Sequence, residues 1–191
     1  MTYPNWFVRT GAPTNFSNFL SKYKDLKVDF LQLGAYTGDA SLWLFENVLT
    51  HPESTLTDVD TWEGSDEKEH EEMNWRSVED TYNEKLKRWL DSGQLIKKKM
   101  TTKEFFKTNT KNFEFVYVDA DHHAIWALKD GLDGYSCLNS GGVIGFDDYT
   151  WGKDLPKLDR PSTGIDAFLV CYTQKVTVLE RGLQLWVRKI F

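Results

Sequence analysis

Only two cysteines occur in 191 residues, Cys137 and Cys171, and neither belongs to a C-x-x-C pair. That excludes a disulfide framework and fits free thiols, so the expected location is cytoplasmic. No apolar run approaches the roughly 20 residues that a membrane helix needs. The opening M-T-Y-P-N-W-F lacks a basic segment followed by an apolar stretch, so neither a signal peptide nor a membrane partner is expected. Basic residues come only in short runs such as Lys97-Lys98-Lys99, within a net charge of −6, which argues against a nucleic-acid partner. Internal repeats, linkers and low-complexity segments are missing as well. What remains is a chain 40% hydrophobic and 15% aromatic, enough to fill the core of one domain over residues 1–191. Residues 1–27 read as an N-terminal helical extension, with Phe16, Phe19, Leu20 and Tyr23 at helical spacing and Asn15 or Ser17 as its cap. Its aromatics read as core, with a substrate lid as the other role open to Trp6 and Phe7.

Two phosphate-binding signatures are also lacking. The stretch Val28–Ser41, V-D-F-L-Q-L-G-A-Y-T-G-D-A-S, has an apolar run, a break at Gly34 and a helical continuation. Such a run reads as a buried parallel strand whose carboxyl end opens onto a helix N-terminus, the place where open α/β sheets take ligands. Yet Tyr36 stands where a dinucleotide fingerprint needs its middle glycine, and no G-x-x-x-x-G-K-[ST] loop occurs. A ligand without phosphates fits Gly34 and Gly38 better, which points to S-adenosylmethionine. An ordinary βα turn is the plainer alternative.

Downstream, α and β patterns alternate. A helix is expected from Ala40 to Leu49, stopped by His51-Pro52, then a strand over Thr55–Val59 ending in Asp60-Thr61-Trp62. Asp60 stands about 20 residues past Gly38, where an acid is placed to accept both ribose hydroxyls; a turn-forming Asp is the alternative. Trp62 is placed either against the adenine or in the core. Residues 65–72 form a charged run whose His70 lacks a second His at ligand spacing. The spacing of Trp75, Val78, Tyr82, Leu86 and Trp89 predicts one amphipathic helix ended by Ser92-Gly93. Leu95–Met100 reads as an edge strand, followed by a short helix capped by Thr101 or Thr102. Phe113–Val118 is a strand ending in Asp119-Ala120-Asp121-His122. Next comes a helix striped by Ile125, Leu128, Leu132, Tyr135 and Leu138. Asn139–Gly142 reads as a turn, and Val143–Phe146 as a strand ending in Asp147-Asp148-Tyr149. A long loop over 149–162, a helix over Thr163–Thr173 and a hairpin about Arg181-Gly182 complete the chain.

Asp119, Asp147 and Asp148 end two strands. If these are neighbours, three carboxylates converge, repel one another and call for a hard divalent cation such as Mg²⁺, Ca²⁺ or Mn²⁺. The alternative is that each Asp only ends a strand or caps a helix, and Asp121 itself reads as an N-cap for a helix beginning near His122. His122 follows on the first turn of the next helix. With an ordinary pKa near 6.5 it suits a general base, against the plainer reading of a surface His.

Four motifs in order, Leu31-Gln32-Leu33-Gly34, Val59-Asp60-Thr61-Trp62-Glu63-Gly64-Ser65, Val118-Asp119-Ala120-Asp121-His122 and Asp147-Asp148-Tyr149, carry a resemblance. Residues 28–189 resemble the class I S-adenosylmethionine-dependent methyltransferases. Within them the chain is most similar to the small group reading L-E-I-G-x-x-x-G, V-D-T-W/F-x-G-S, I-D-G-x-H and D-D-Y, related to the metal-dependent catechol-type O-methyltransferases. The resemblance implies a Rossmann-like α/β fold, a seven-stranded mostly parallel sheet in the order 3-2-1-4-5-7-6 with an antiparallel last strand. It implies cofactor contacts at Gly34, Ala35, Tyr36, Gly38, Asp60, Thr61, Trp62, Thr102 and Asp119. It further implies a cation on Asp119, Asp147 and Asp148, His122 as base, and a small-molecule or sugar hydroxyl as acceptor. Two positions depart from the group: Gln32 replaces its Glu, and Ala40 its Ser, with Ser41 as a partial substitute. These departures favour the alternative of a non-catalytic S-adenosylmethionine-binding module. Tyr36 disfavours a nicotinamide oxidoreductase. A homo-oligomer stays open.

Overall fold

The computed structural model describes residues 3–65, 70 and 72–191; most of the charged run over 65–72 lies outside the described residues. One seven-stranded sheet runs in the order β3-β2-β1-β4-β5-β7-β6, as the resemblance implies. Its strands are β1 (Asp29–Leu33), β2 (Thr55–Asp60), β3 (Leu95–Lys99), β4 (Phe113–Val118), β5 (Leu138–Phe146), β6 (Val176–Arg181) and β7 (Leu185–Lys189). The first five are parallel, and β7 lies antiparallel to both β5 and β6. Because β1 has β2 on one side and β4 on the other, the order in which strands are added reverses at β1, and the crevice opens above β1 and β4.

The helices are α1 (Trp6–Arg9), α2 (Ala12–Leu20), α3 (Asp39–Asn47), α4 (Trp75–Lys85), α5 (Lys87–Ser92), α6 (Thr102–Thr108), α7 (Ala124–Ser136) and α8 (Pro161–Cys171). They form two cores, one on each face of the sheet. On one, Phe16 packs edge-on against Phe115, Tyr117 and Trp186, beside Leu44, Tyr82 and Leu86. On the other, Phe146 and Phe168 meet beneath α7 and α8.

Several expectations need correction. The extension holds two helices, capped by Asn5 and at Gly11 rather than by Asn15 or Ser17; Asn15 instead donates to Gln184 at 2.8 Å. The helix foreseen from Trp75 to Trp89 is two, because Leu86 leaves helical geometry at ψ 9° and α5 turns off there. Phe45 and Trp89 stack at 4.9 Å across that corner. The Asn139–Gly142 turn is strand instead: β5 begins at Leu138 and absorbs the irregularity as a register shift against Phe113 and Phe115. The stripe on α7 holds in part: Tyr135 is buried, and Leu128 and Leu132 pack against the second core. Ile125 is exposed and Leu138 belongs to β5, while Ala127, Asp130, Gly131 and Gly134 face inward. Small residues win there because packing is close: a Cβ on Gly131 would lie 2.8 Å from the Phe146 ring, and one on Gly164 of α8 would lie 1.9 Å from the Ala124 carbonyl oxygen.

Candidate functional site

A polar rank crosses the sheet one step below its carboxyl edge. Lys97, Asp58, Gln32 and Tyr117 are successive register partners on β3, β2, β1 and β4, all on the α1–α5 face. Alternation along the strands should make this rank apolar, so its polarity marks the ground under the ligand edge.

Above its β2–β1 half lies the glycine loop. Gly34 adopts φ +83°, and a Cβ there would sit 1.8 Å from the Asp119 carbonyl oxygen, so the loops after β1 and β4 are in backbone contact. Asp60 ties the loop down. Its Oδ2 accepts the Ala35 and Tyr36 amides at 2.7 and 2.9 Å, and its Oδ1 accepts the Trp62 amide at 2.7 Å. A carboxylate has about four acceptor positions, so amides of its own chain take three and one remains. Thr61 stands beside it and its hydroxyl accepts the Glu63 amide. Trp62 is only 2% exposed, packs on Tyr82 at 4.8 Å and donates its indole N–H to the Tyr36 carbonyl. No face of the ring is left for an adenine; of its two sequence roles the core one holds.

The Tyr36 side chain lies in an aromatic cluster. Trp6 stacks on it at 4.5 Å, Tyr3 and Trp75 meet it edge-on, and its hydroxyl reaches the Met73 sulfur at 3.9 Å. Burial pushes its phenol pKa up to about 12. Of the two aromatics for which a lid role was open, Phe7 is core against Phe16, while Trp6 stacks on Tyr36 of the loop. His70 joins this cluster against Trp75 and pairs with Ser65 at 2.7 Å. Thr102 is the first residue of α6, and its hydroxyl serves the buried Asp130 of α7 rather than an open crevice. Thr101, not Thr102, is the cap, in a reciprocal pair with Glu104.

The β4–β5 half differs. Asp119, His122 and Asp148 offer ligand atoms within 4.8 Å of one another, with His122 Nε2 at 3.0 Å from Asp148 Oδ2. His122 precedes α7 instead of lying on its first turn, since His123 is the N-cap and Asp121 accepts the His123 amide at 2.8 Å, and Trp151 lies against the His122 ring at 4.6 Å. Desolvation raises the Asp119 carboxyl well above its usual range, helped by Asp147 and Asp148. Among the described residues no hydrogen bond reaches the Asp119 carboxyl.

Asp147 is not in this group. Its Oδ1 accepts from Gln184 Nε2 at 2.8 Å, and Gln184 also donates to the Tyr117 hydroxyl at 2.9 Å. Desolvation and Asp148 raise the Asp147 pKa to about 6. Both residues lie just beyond β5, and Asp148, in a left-handed conformation at φ +53°, meets His122 while Asp147 meets Gln184. Sequence reading had also missed Gln184. It is fully buried, bonded to Asn15, Tyr117, Asp147 and Trp186, and only its polarity within the final hairpin could have flagged it.

Chemically, two carboxylates and an imidazole can hold a divalent cation, or hold and relay a proton. The loop after β1 presents the first-turn amides of α3, which have no acceptor within the helix. A model of a family described as "Methyltransferase domain" matches residues 31–149. No curated protein sequence matches the chain significantly. Among solved structures, the O-methyltransferase TomG from Streptomyces achromogenes, bound to SAM, aligns at 15% identity over 96% of this chain and 80% of its own, with a TM-score of 0.65. A provisionally described rRNA methylase from Clostridium thermocellum aligns at 12% identity over 100% and 99%, with a TM-score of 0.68. The N-methyltransferase NodS from Bradyrhizobium japonicum aligns at 14% identity over 98% of both chains, with a TM-score of 0.62. At such identities the likeness is one of fold, and the three proteins' names span oxygen, nucleic-acid and nitrogen acceptors.

Proposed function

The chain belongs to this methyltransferase-domain family, and from that premise we propose that it transfers the methyl group of S-adenosylmethionine to a hydroxyl of a small molecule or sugar, assisted by a divalent cation. The observation that carries the reading is adjacency: the glycine loop and the Asp119–His122–Asp148 group touch through Gly34 and Asp119, so donor and acceptor would meet across that contact. The donor set fits both groups. The α3 amides suit the donor's carboxylate, and the remaining Asp60 acceptor position suits one ribose hydroxyl. Gly34, Ala35, Tyr36, Gly38, Thr61 and Asp119 would line the donor, while Thr102 stands farther off on α6.

The like-charged, desolvated Asp119 and Asp148 gain from a cation. When bound, the donor supplies an electrophilic methyl, and the cation lowers the pKa of an acceptor hydroxyl. Asp119 and Asp148 hold the site's negative charge in place, and Gln184 and Tyr117 keep Asp147 beneath it. His122, whose Nε2 is held by Asp148 at 3.0 Å, would take the acceptor proton on its other ring nitrogen. The 4.8 Å grouping favours a second reading, in which His122 is a third ligand and the set, part oxygen and part nitrogen, suits Mn²⁺ better than Mg²⁺ or Ca²⁺. The net charge of −6 favours a non-nucleic-acid acceptor.

Calorimetric titration with S-adenosylmethionine, S-adenosylhomocysteine and NAD tests the donor; binding of NAD alone sinks the proposal. Titrating Mn²⁺ and Mg²⁺ into the S-adenosylhomocysteine complex tests the cation. Absence of binding at millimolar concentration would leave a metal-independent enzyme or a binding module.

A further inference from the structure

Beneath the glycine loop lies a buried chain of polar groups that the proposed chemistry does not use. Asp58, Gln32, Ser41 and Tyr82 are each at most 2% exposed. Asp58 Oδ2 lies 2.6 Å from Ser41 Oγ and 2.7 Å from the Tyr82 hydroxyl, while Asp58 Oδ1 has no partner. Ser41 Oγ also lies 3.3 Å from Gln32 Oε1, and Gln32 Nε2 donates to the Gly34 carbonyl at 2.8 Å.

Counting protons decides how this chain is wired. Ser41 has one hydroxyl proton and two acceptors within reach. If Asp58 is a carboxylate, Ser41 and Tyr82 both donate to Oδ2. Gln32 Oε1 then lacks its donor, and charge sits on a buried, unpartnered Oδ1. If Asp58 carries a proton on Oδ2, it donates to Ser41, Ser41 donates to Gln32, and Gln32 donates to Gly34, so each link is satisfied. Tyr82 still donates to Oδ2, and the orphaned Oδ1 is then a neutral carbonyl oxygen, the cheaper atom to bury.

The surrounding charges do not favour the carboxylate. Lys97 is the register partner of Asp58 on β3, but its ammonium is held by Glu79 and Asn83 at 2.5 and 2.8 Å. Lys85 of α4 is paired with Asp39 of α3, and Asp60 on β2 adds a like charge. Desolvation, reinforced by Asp60, raises the Asp58 pKa to about 7.

We propose that Asp58 is a positioning residue for the glycine loop: as the neutral acid it donates through Ser41 and Gln32 to Gly34, and the loop's hold on the methyl donor depends on that proton. The proposal rests on the donor reading above. It also gives Gln32 a task in this chain, since a carboxylate at position 32 would face Asp58 and could not donate to Gly34.

Two measurements test it. NMR of the protein labelled in its aspartate carboxyls follows Asp58 directly, with amide shifts of residues 34–38 as the loop's response. The expected result is a midpoint near neutrality shared by the carboxyl and the loop amides; an Asp58 midpoint near 4, or loop amides that ignore it, overturns the relay. Calorimetry with S-adenosylhomocysteine from about pH 6 to about pH 8.5 should show wild-type affinity falling by up to about tenfold per pH unit above the midpoint. Asp58→Asn, whose amide donates to Ser41 at every pH, should keep the acid-side affinity throughout. Any slope that persists in this variant belongs to other groups, of which Asp147 and Asp130 are raised into this range. Ser41→Ala should bind more weakly and lose the slope. Flat wild-type binding, or a tenfold loss in Asp58→Asn at about pH 6, overturns the proposal while leaving the donor reading intact. No binding of S-adenosylhomocysteine by any form overturns the donor reading and this proposal with it.

Discussion

The two halves of the ligand edge use their carboxylates in opposite ways. On β2, Asp60 spends three acceptor positions on amides of its own chain, and what it builds is a loop. On β4 and β5, Asp119 and Asp148 face one another and His122, and within the described residues nothing donates to Asp119. A carboxylate saturated by backbone amides serves the fold, and its loss is felt as disorder. A carboxylate held desolvated beside another acid costs stability, and that cost marks a place kept for a ligand.

Variants can break or sharpen this contrast. The largest effect is expected in turnover: His122→Ala should lower it by roughly 10²–10⁴, the usual range for a general base. If His122 is a ligand instead, Mn²⁺ affinity will fall alongside, which titration of the same variant reads.

Asp119→Asn should abolish cation binding in calorimetry yet stabilise the metal-free protein, because it removes a buried like charge. Each kcal/mol regained should raise Tm by roughly 2–4 °C in a chain of this size. Asp147→Asn should cost less cation affinity than Asp119→Asn, since Gln184 and Tyr117 hold Asp147 apart; equal losses would mean that Asp147 turns into the site when the cation binds.

Asp60→Ala should behave oppositely to Asp119→Asn. It strands three amides, each hydrogen bond to a charged acceptor being worth about 1.5–3 kcal/mol. Tm should fall, and S-adenosylhomocysteine affinity should drop tenfold or more. A folded variant with unchanged affinity would sink both the loop and the ribose roles.

The smallest effect concerns pH and stability. Burial raises the Asp130 pKa to about 7, above its unfolded value near 4. A raised folded pKa means that the native state binds the extra proton. This contribution is fully present below about pH 4 and is lost as pH rises through about 7. Asp130→Asn should therefore raise Tm by roughly a few degrees at about pH 8 and leave it nearly unchanged at about pH 4, as calorimetric melts at the two values will show.

What the sequence determined by itself was the order of elements and the places where acids and glycines end strands. Those follow from local pattern: apolar runs of strand length, breaks at glycine, and the resemblance carried by four ordered motifs. Helices that bury bulky residues, such as α8 with Ile165 and Phe168, were legible for the same reason. Helix α7 was legible only in part: Leu128, Leu132 and Tyr135 pack inward as their spacing implies, while Gly131 and Gly134 are set by how closely neighbouring groups approach, which no periodicity encodes. The corner at Leu86, the core burial of Trp62 and the four bonds of Gln184 are likewise products of packing between segments distant in sequence. The site divides along the same line. Sequence alone named Asp119, Asp148 and His122 as residues of one crevice. Only the tertiary structure turned Asp147 beneath the sheet edge, brought His122 within reach of two carboxylates, and placed Asp58 behind the glycine loop. Adjacent side chains on a strand must point to opposite sides, and which side meets the ligand is decided by the elements that pack against it.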